Sequence, residues 1–170
     1  MKEISFRNDV LPLKDILYRL ALRITQKHEE AQDIVQDTLM RVWSKRDELG
    51  DIKSIEAWCL TICRNLALDR IKSHSNQNEP LEAVGMDAPD RDGTPYEQML
   101  QRDRIELVRR MVNSLPEKQR SCMQLRDFEG RSYKEIAQIL HISEDQVKVN
   151  IFRARQAIKT KYQQIEGYGL

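Results

Sequence analysis

The sequence is poor in cysteine, glycine and proline and has no long apolar run, which argues against several classes of protein. Its 170 residues include only three cysteines, six glycines and five prolines. An odd and small number of cysteines argues against a disulfide-stabilised secreted domain. The scarcity of glycine and proline favours helices over a turn-rich β fold. No run of about 18 apolar residues occurs, so we expect no membrane insertion. The opening residues, MKEISFR, lack the apolar core of a signal peptide, and we therefore expect a cytoplasmic protein.

Charge is almost balanced over the whole chain, with a formal net value of +1, but it is unevenly distributed. Residues 1–75 carry 13 basic and 12 acidic side chains, residues 76–100 carry one basic and six acidic, and residues 101–170 carry 14 basic and nine acidic. The basic excess of the last part suits a polyanion such as DNA. The acidic middle part masks this excess in the total.

The sequence contains no recognisable catalytic set. Its three histidines are scattered, and it has neither a Ser-His-Asp set nor a glycine-rich phosphate loop. We predict that the protein is not an enzyme and needs no cofactor. Cys59 and Cys63 lie one helical turn apart and could share a metal ion with His74, but their spacing fits no common zinc pattern. We interpret both thiols as core residues and predict no metal site.

Residues 131–158 have the pattern of a helix-turn-helix. Two pairs with the spacing of a capping box mark two helix starts; they are Ser132 with Glu135, and Ser143 with Gln146. We predict helices over 133–140 and 143–161, with the turn at His141. The second helix has one apolar stripe, formed by Val147, Ile151, Ala154 and Ile158. Its basic exterior suits a DNA major groove, although any helical hairpin with a solvated basic face would share this pattern.

Helical periodicity dominates the rest of the chain as well. It predicts helices over residues 10–25, 31–43, 55–72, 96–114 and 116–128. Between them, residues 73–95 are rich in turn-forming and acidic residues, which is typical of a linker. We therefore predict an all-α protein of two small helical domains joined by a flexible acidic linker, and we expect the domains to fold independently and to be held apart. The predicted bounds are 1–75 for an N-terminal helical bundle, 76–95 for the linker and 96–170 for a four-helix helix-turn-helix domain.

Two stretches resemble the extracytoplasmic-function group of bacterial RNA polymerase sigma factors. The first is residues 33–43 (DIVQDTLMRVW), continued in residues 57–70 (AWCLTICRNLALDR). The second begins at residues 115–120 (LPEKQR), includes residues 125–137 (LRDFEGRSYKEIA) and ends in Arg153-Ala154-Arg155. The family often has Gly where His141 stands and usually Thr where Gln146 stands. The resemblance implies a promoter-specificity subunit that binds core RNA polymerase and recognises the −10 and −35 promoter elements.

The resemblance also implies roles for individual residues. Core polymerase would be bound by one polar face of the helix at 31–43, formed by Asp33, Gln36, Asp37 and Arg41. The −10 element would be bound and melted by the helix at 55–72, through Arg64, Asn65, Arg70 and Lys72. The −35 element would be bound by Arg131, Gln146, Lys148, Asn150, Arg153, Arg155 and Lys159. Asn and Gln can pair with adenine, whereas Arg and Lys can reach guanine or phosphate.

A second function stays open at this point. An autonomous helix-turn-helix repressor or activator would carry the same DNA-binding segment, but it would bind DNA tightly alone and usually as a symmetric dimer. The sequence shows no dimerisation seam, so we expect a monomer when the protein is free. The resemblance further implies an anti-sigma factor as a partner. Trp58 could stack on an unpaired base, but its apolar neighbours favour a place in the core.

Overall fold

The computed structural model describes residues 4–76 and 94–167, and all regular secondary structure in these ranges is helical. The N-terminal range contains α1 (Lys14–Thr25), α2 (His28–Ser44) and α3 (Ile55–Asn76). The C-terminal range contains α4 (Pro95–Asn113), α5 (Glu117–Met123), α6 (Tyr133–Leu140) and α7 (Glu144–Gly167). These elements confirm the predicted all-α fold with two helical domains. The predicted linker at 76–95 lies almost entirely outside the described residues.

The helix boundaries differ from prediction mainly where tighter or wider turns replace regular helix. A π-helical turn (Phe6–Val10) and a 3₁₀ turn (Leu11–Leu13) precede α1, so the predicted helix over 10–25 is regular only from Lys14. Pro12 lies in this 3₁₀ turn, where its missing N–H costs nothing because the first turn has no intrahelical partner for it. A further 3₁₀ turn (Arg46–Asp51) follows α2, and a π-helical turn (Gln124–Phe128) continues α5. At the other end of the chain, α7 runs six residues beyond the predicted end of that helix.

The N-terminal domain is organised around α1. Its residues Leu17, Leu20 and Ile24 are fully buried, and they share one apolar cluster with Ile34 of α2 and Leu60 of α3. Burying a side chain of this size contributes roughly 1.5–3 kcal/mol. The three helices pack against one another, which leaves the outer face of α2 in solvent.

The same apolar cluster continues into the C-terminal domain. Leu125, Ile136 and Ile139 belong to it, and α6 packs against α3 while α5 packs against α1. The expectation that the two domains are held apart is therefore wrong for this structure. Sequence reasoning missed the contact because an apolar helix face does not indicate which other helix will cover it. A separate small cluster within the C-terminal domain contains Val112, Leu115, Met123 and Ala154.

The three cysteines are free and buried, as the interpretation of Cys59 and Cys63 as core residues predicted. Burial raises the pKa of the Cys59 and Cys63 thiols to about 12 and that of Cys122 to about 11. Cys63 donates a hydrogen bond to the Leu17 carbonyl. Within the described ranges, no group of His, Cys, Asp and Glu side chains is arranged to hold a metal ion, and no helix combines the length and apolar character needed to cross a bilayer.

Candidate functional site

The turn between α6 and α7 is built as the sequence predicted. Ser132 and Glu135 form a reciprocal capping box at the start of α6. His141 ends α6 in a left-handed conformation with φ of 55°, which is uncommon for a residue with a side chain. Ser143 Oγ then accepts from the Gln146 N–H, and Gln146 Oε1 accepts from the Ser143 N–H, at 3.1 and 3.0 Å. Both caps and the helix at 133–140 are confirmed, and a left-handed residue is tolerated where the family often has Gly.

The helix α7 presents one face to the core and the other to solvent. Val147, Ile151 and Ala154 are buried, which confirms most of the predicted stripe. Most of the side chains predicted to reach DNA are exposed, namely Gln146, Lys148, Arg153, Arg155 and Lys159, whereas Asn150 is half-buried. The surface predicted to bind the −35 element therefore lies on the outside of the molecule although the two domains are in contact.

Local hydrogen bonds already use part of the capacity of the two amide side chains on this face. Gln146 Oε1 caps α7, and Asn150 Nδ2 donates to the Gln146 carbonyl at 2.8 Å. The sequence predicted both a capping role and a DNA role for Gln146. The structure shows the cap, and neither the Gln146 side-chain N–H groups nor the Asn150 side-chain oxygen takes part in these two hydrogen bonds.

Sequence reasoning missed two exposed apolar residues on α7. Phe152 is 63% exposed and Val149 is 44% exposed, and both lie on the side of the helix opposite to the buried stripe. The available signal was that neither residue fits the four- and three-residue spacing of that stripe. An outward apolar side chain on a recognition helix can contact a thymine methyl group.

The cations of this surface differ in whether another side chain already contacts them. Arg155 is paired with Asp127 at 2.5 Å, and the Lys148 ammonium lies 5.6 Å from the centre of the Tyr133 ring. Among the described residues, Arg153 and Lys159 make no ion pair with a carboxylate. These two side chains are therefore the most readily available cations on α7.

Ion pairs across the contact between the domains engage two other predicted DNA contacts. Arg64 is only 6% exposed and binds Glu117 through two nitrogens, with Nη2 to Oε2 at 2.8 Å and Nε to Oε1 at 3.2 Å. Arg131 Nε lies 2.9 Å from Glu56 Oε1. In both pairs, a carboxylate of one domain neutralises a guanidinium of the other, and a guanidinium binds carboxylate and phosphate in similar ways.

Two arginines of α1 also form hydrogen bonds across the contact between the domains. Arg19 forms a paired set of hydrogen bonds with Glu129, the shortest at 2.7 Å. Arg23 is buried and donates to Gln124 at 2.8 Å and to Asn113 at 3.0 Å. Burial lowers the pKa of Arg23 to about 10, with the neighbouring cations adding to the effect. Polar groups therefore contribute to the contact beside the shared apolar cluster. A hydrogen bond that involves a charged group contributes about 1.5–3 kcal/mol.

The outer face of α2 carries the predicted polymerase-binding residues Asp33, Gln36, Asp37 and Arg41, all of them exposed. Met40 lies among them on the same face and is 69% exposed. Sequence reasoning missed Met40, because a methionine within a helical apolar pattern is more often a core residue. Next to this face, the exposed Trp43 packs edge-on against Phe6, with ring centroids 5.0 Å apart.

Arg70 joins the end of α3 to this face of α2. Its guanidinium binds Glu30 at 2.5 Å and lies 3.9 Å from Asp33 and 3.6 Å from Asp37. His74 contacts the second oxygen of Glu30 at 2.8 Å. The other residues predicted for the −10 element, Asn65 and Lys72, are exposed on α3. Trp58 packs against the apolar cluster, as the preferred interpretation predicted.

Comparison with known families gives two matches that follow the two domains. Residues 10–77 match the model of sigma-70 region 2, and residues 105–158 match that of sigma-70, region 4. The extracytoplasmic-function RNA polymerase sigma factor SigL of Mycobacterium tuberculosis is 30% identical over 151 residues, which are 88% of this chain and 84% of SigL. SigM of Bacillus subtilis is 26% identical over 147 residues, which are 86% of this chain and 88% of SigM.

Solved structures have the same fold. The sigma factor RpoE of Bartonella quintana, in complex with the anti-sigma factor NepR, superposes with a TM-score of 0.78 at 24% identity, covering 93% of this chain and 96% of that one. CnrH, in complex with the cytosolic domain of CnrY, gives a TM-score of 0.67 at 20% identity, covering 94% of this chain and 88% of that one. Both comparisons extend over the two helical domains.

Proposed function

Since the chain belongs to the extracytoplasmic-function group of sigma-70 factors, we propose that it binds core polymerase through the outer face of α2, the −10 element through α3 and the −35 element through α7. Sigma factors of this family are non-enzymatic subunits that direct RNA polymerase to promoters, and this chain is one of them. The proposal concerns which of its surfaces binds polymerase and which binds each promoter element.

The outward face of α7 is the observation that carries the proposal. It belongs to a doubly capped helix-turn-helix, its apolar stripe is buried, and its free cations Arg153 and Lys159 face solvent. Side chains placed in this way can read base edges in a major groove while flanking cations contact phosphates. Lys148, Asn150, Gln146 and Arg155 complete the proposed −35 surface.

The proposed −10 surface depends on a rearrangement. Asn65 and Lys72 are exposed, but Arg64 is covered by Glu117, and Arg131 of the other domain is engaged by Glu56. The −10 and −35 elements lie about two helical turns apart, or roughly 70 Å at ~34 Å per turn. We therefore propose that the two domains separate when the protein engages polymerase and promoter, with domain bounds at 1–75 and 96–170 and the linker at 76–95 between them.

The proposed partners follow from the same family membership. The protein acts with core RNA polymerase and promoter DNA. We propose that, away from polymerase, an anti-sigma factor holds it with its two domains in contact, which we call the closed arrangement. We propose further that the protein is cytoplasmic and that the chain without any partner is a monomer. Support comes from the two solved structures above, in which RpoE is bound to the anti-sigma factor NepR and CnrH to the cytosolic domain of CnrY.

Reversal of one charge on α2 tests the proposal. We expect Asp37→Lys to abolish binding of the full chain to core polymerase, because the cation would repel whatever basic groups receive this face, while binding to a −35 duplex stays intact. The measurement is the anisotropy of a fluorescently labelled chain titrated with polymerase or with duplex. The matched control is Asp15→Lys, an exposed acid on α1 that the proposal assigns to no partner.

Two results would contradict this assignment. An equal loss of polymerase and duplex binding in Asp37→Lys would mean that the two surfaces are not separate. A wild-type chain that only blocks promoter-directed transcription when it is mixed with core polymerase would instead favour an autonomous repressor.

A further inference from the structure

We infer that Arg70 is a positioning residue for polymerase docking: it holds the carboxylates of α2 in the arrangement that core polymerase binds. The inference rests on the proposed role of the α2 face and assigns Arg70 a different task from the −10 contact that the resemblance implied. It concerns a side chain of α3 that acts through acids of the neighbouring helix.

The geometry brings three carboxylates to one guanidinium. Glu30, Asp33 and Asp37 follow one another at spacings of three and four residues, so they form a single stripe on α2. Arg70 Nη1 lies 2.5 Å from Glu30 and 3.9 Å from Asp33, while Nη2 lies 3.6 Å from Asp37. Of these three carboxylates, Glu30 accepts a hydrogen bond from the Arg70 guanidinium, whereas Asp33 and Asp37 lie within ion-pair distance of it.

The three carboxylates differ in exposure, and this difference divides their tasks. The side chain of Glu30 is mostly covered, and it is held by Arg70 on one oxygen and by His74 on the other. Burial opposes the ionisation of Glu30, but the two hydrogen bonds together with the charge attraction of Arg70 and His74 outweigh it and lower the pKa of the carboxyl. Asp33 and Asp37 are exposed, with room for a partner's cation. Glu30 thus anchors Arg70, and Arg70 orients the two outer acids.

Without a cation at this place, three like charges on one helix stripe would repel one another, and their side chains would occupy diverging rotamers. A partner would then have to order them on binding, at a cost in conformational entropy for each side chain that it fixes. Arg70 removes part of this cost beforehand. The same surroundings make Arg70 a poor phosphate contact, because the adjacent carboxylates would repel a phosphate.

The test measures polymerase binding and DNA opening separately in the full chain. We expect Arg70→Ala to weaken the affinity for core polymerase about three- to tenfold, while promoter opening by holoenzyme at saturating polymerase is unchanged. Lys72→Ala, two residues further along α3, is the contrasting variant. It should leave the affinity for core polymerase unchanged and reduce promoter opening by the saturated holoenzyme. Arg110→Ala removes an exposed arginine of α4 that is paired with Glu106 of the same helix, and it should change neither measurement.

Two further variants separate positioning from simple stabilisation. Arg70→Lys keeps a positive charge beside Glu30 but loses the planar guanidinium. We therefore expect its polymerase affinity to lie between those of Arg70→Ala and wild type. In an Asp37→Asn background, Arg70→Ala should cost less than it does in the wild-type chain, because the group through which it acts is already neutral. A purely structural role would give the same cost in both backgrounds.

Three outcomes would overturn the inference. They are polymerase affinity within twofold of wild type in Arg70→Ala, reduced promoter opening by the saturated holoenzyme of that variant, and full additivity with Asp37→Asn. Each of them is compatible with a strong effect of Asp37→Lys, so the inference can fail while the proposed function stands. If Asp37→Lys leaves polymerase binding intact, the proposed docking face itself fails.

Discussion

The two surfaces proposed to bind DNA differ in whether their cations are free. On α7, Arg153 and Lys159 are exposed and make no ion pair among the residues the structure describes. On α3, Arg64 is buried against Glu117 and Arg70 is surrounded by acids of α2. The difference indicates that the proposed −35 surface is exposed while the two domains are in contact, whereas Arg64 of the proposed −10 surface is uncovered only when they separate. Separation does not free Arg70, because the acids that surround it belong to its own domain.

The largest expected effect concerns the free cations of α7. If Arg153 contacts a base, Arg153→Ala should weaken −35 duplex binding by about 1–3 kcal/mol and relax the preference at one base pair. If Lys159 contacts a phosphate, Lys159→Ala should weaken binding to every duplex alike and reduce the slope of log K against log salt by about 1. Filter binding or anisotropy at several salt concentrations would distinguish the two.

A second, smaller effect is expected where the cation is covered. Glu117→Gln removes the charge that holds Arg64, so we expect the free chain to bind a single-stranded −10 oligonucleotide about three- to tenfold more tightly. Glu106→Gln is the control, because it breaks an exposed ion pair within α4 and leaves the contact between the domains intact. Equal oligonucleotide affinities for Glu117→Gln and wild type would mean that the ion pair does not limit access to Arg64.

The smallest effect compares the two helix caps. Ser132→Ala and Ser143→Ala should each lower the free energy of unfolding by about 1 kcal/mol, because each leaves a backbone N–H without its acceptor. Only Ser143→Ala should also weaken −35 binding, by about two- to threefold, since Ser143 orders the turn that begins α7 and its partner Gln146 lies on the proposed −35 surface. Denaturant titration gives the first quantity and duplex binding gives the second. Identical duplex affinities for the two variants would show that the cap has no role in recognition.

Local structure followed from the sequence far better than did long-range contacts. The bounds of α6 and both caps could be predicted because they depend on side chains within four residues of each other. The residues assigned to polymerase and DNA remain predictions, but the faces on which they lie are largely the outward ones. Interruptions of helical geometry, such as the 3₁₀ turn at Arg46–Asp51, were missed because packing rather than local pattern decides them.

The contact between the domains could not be predicted from the sequence. It depends on pairs such as Arg19 with Glu129, which are 110 residues apart, and Arg64 with Glu117, which are 53 apart. In the sequence, each of these residues is one charge among many on an amphipathic helix, and the ordinary interpretation of such a charge is a solvated face. Only the three-dimensional arrangement shows that these four side chains form two ion pairs between the domains.

The position of Cys122 has a practical consequence. This thiol is fully buried in the apolar cluster that both domains share, and Arg64 and Glu117 lie close enough to influence its pKa. A maleimide reagent reaches such a sulfur only when the surrounding helices part, so its labelling rate reports on that motion. Thiol labelling of Cys122 in the unaltered chain would therefore measure the rate of the proposed separation of the two domains.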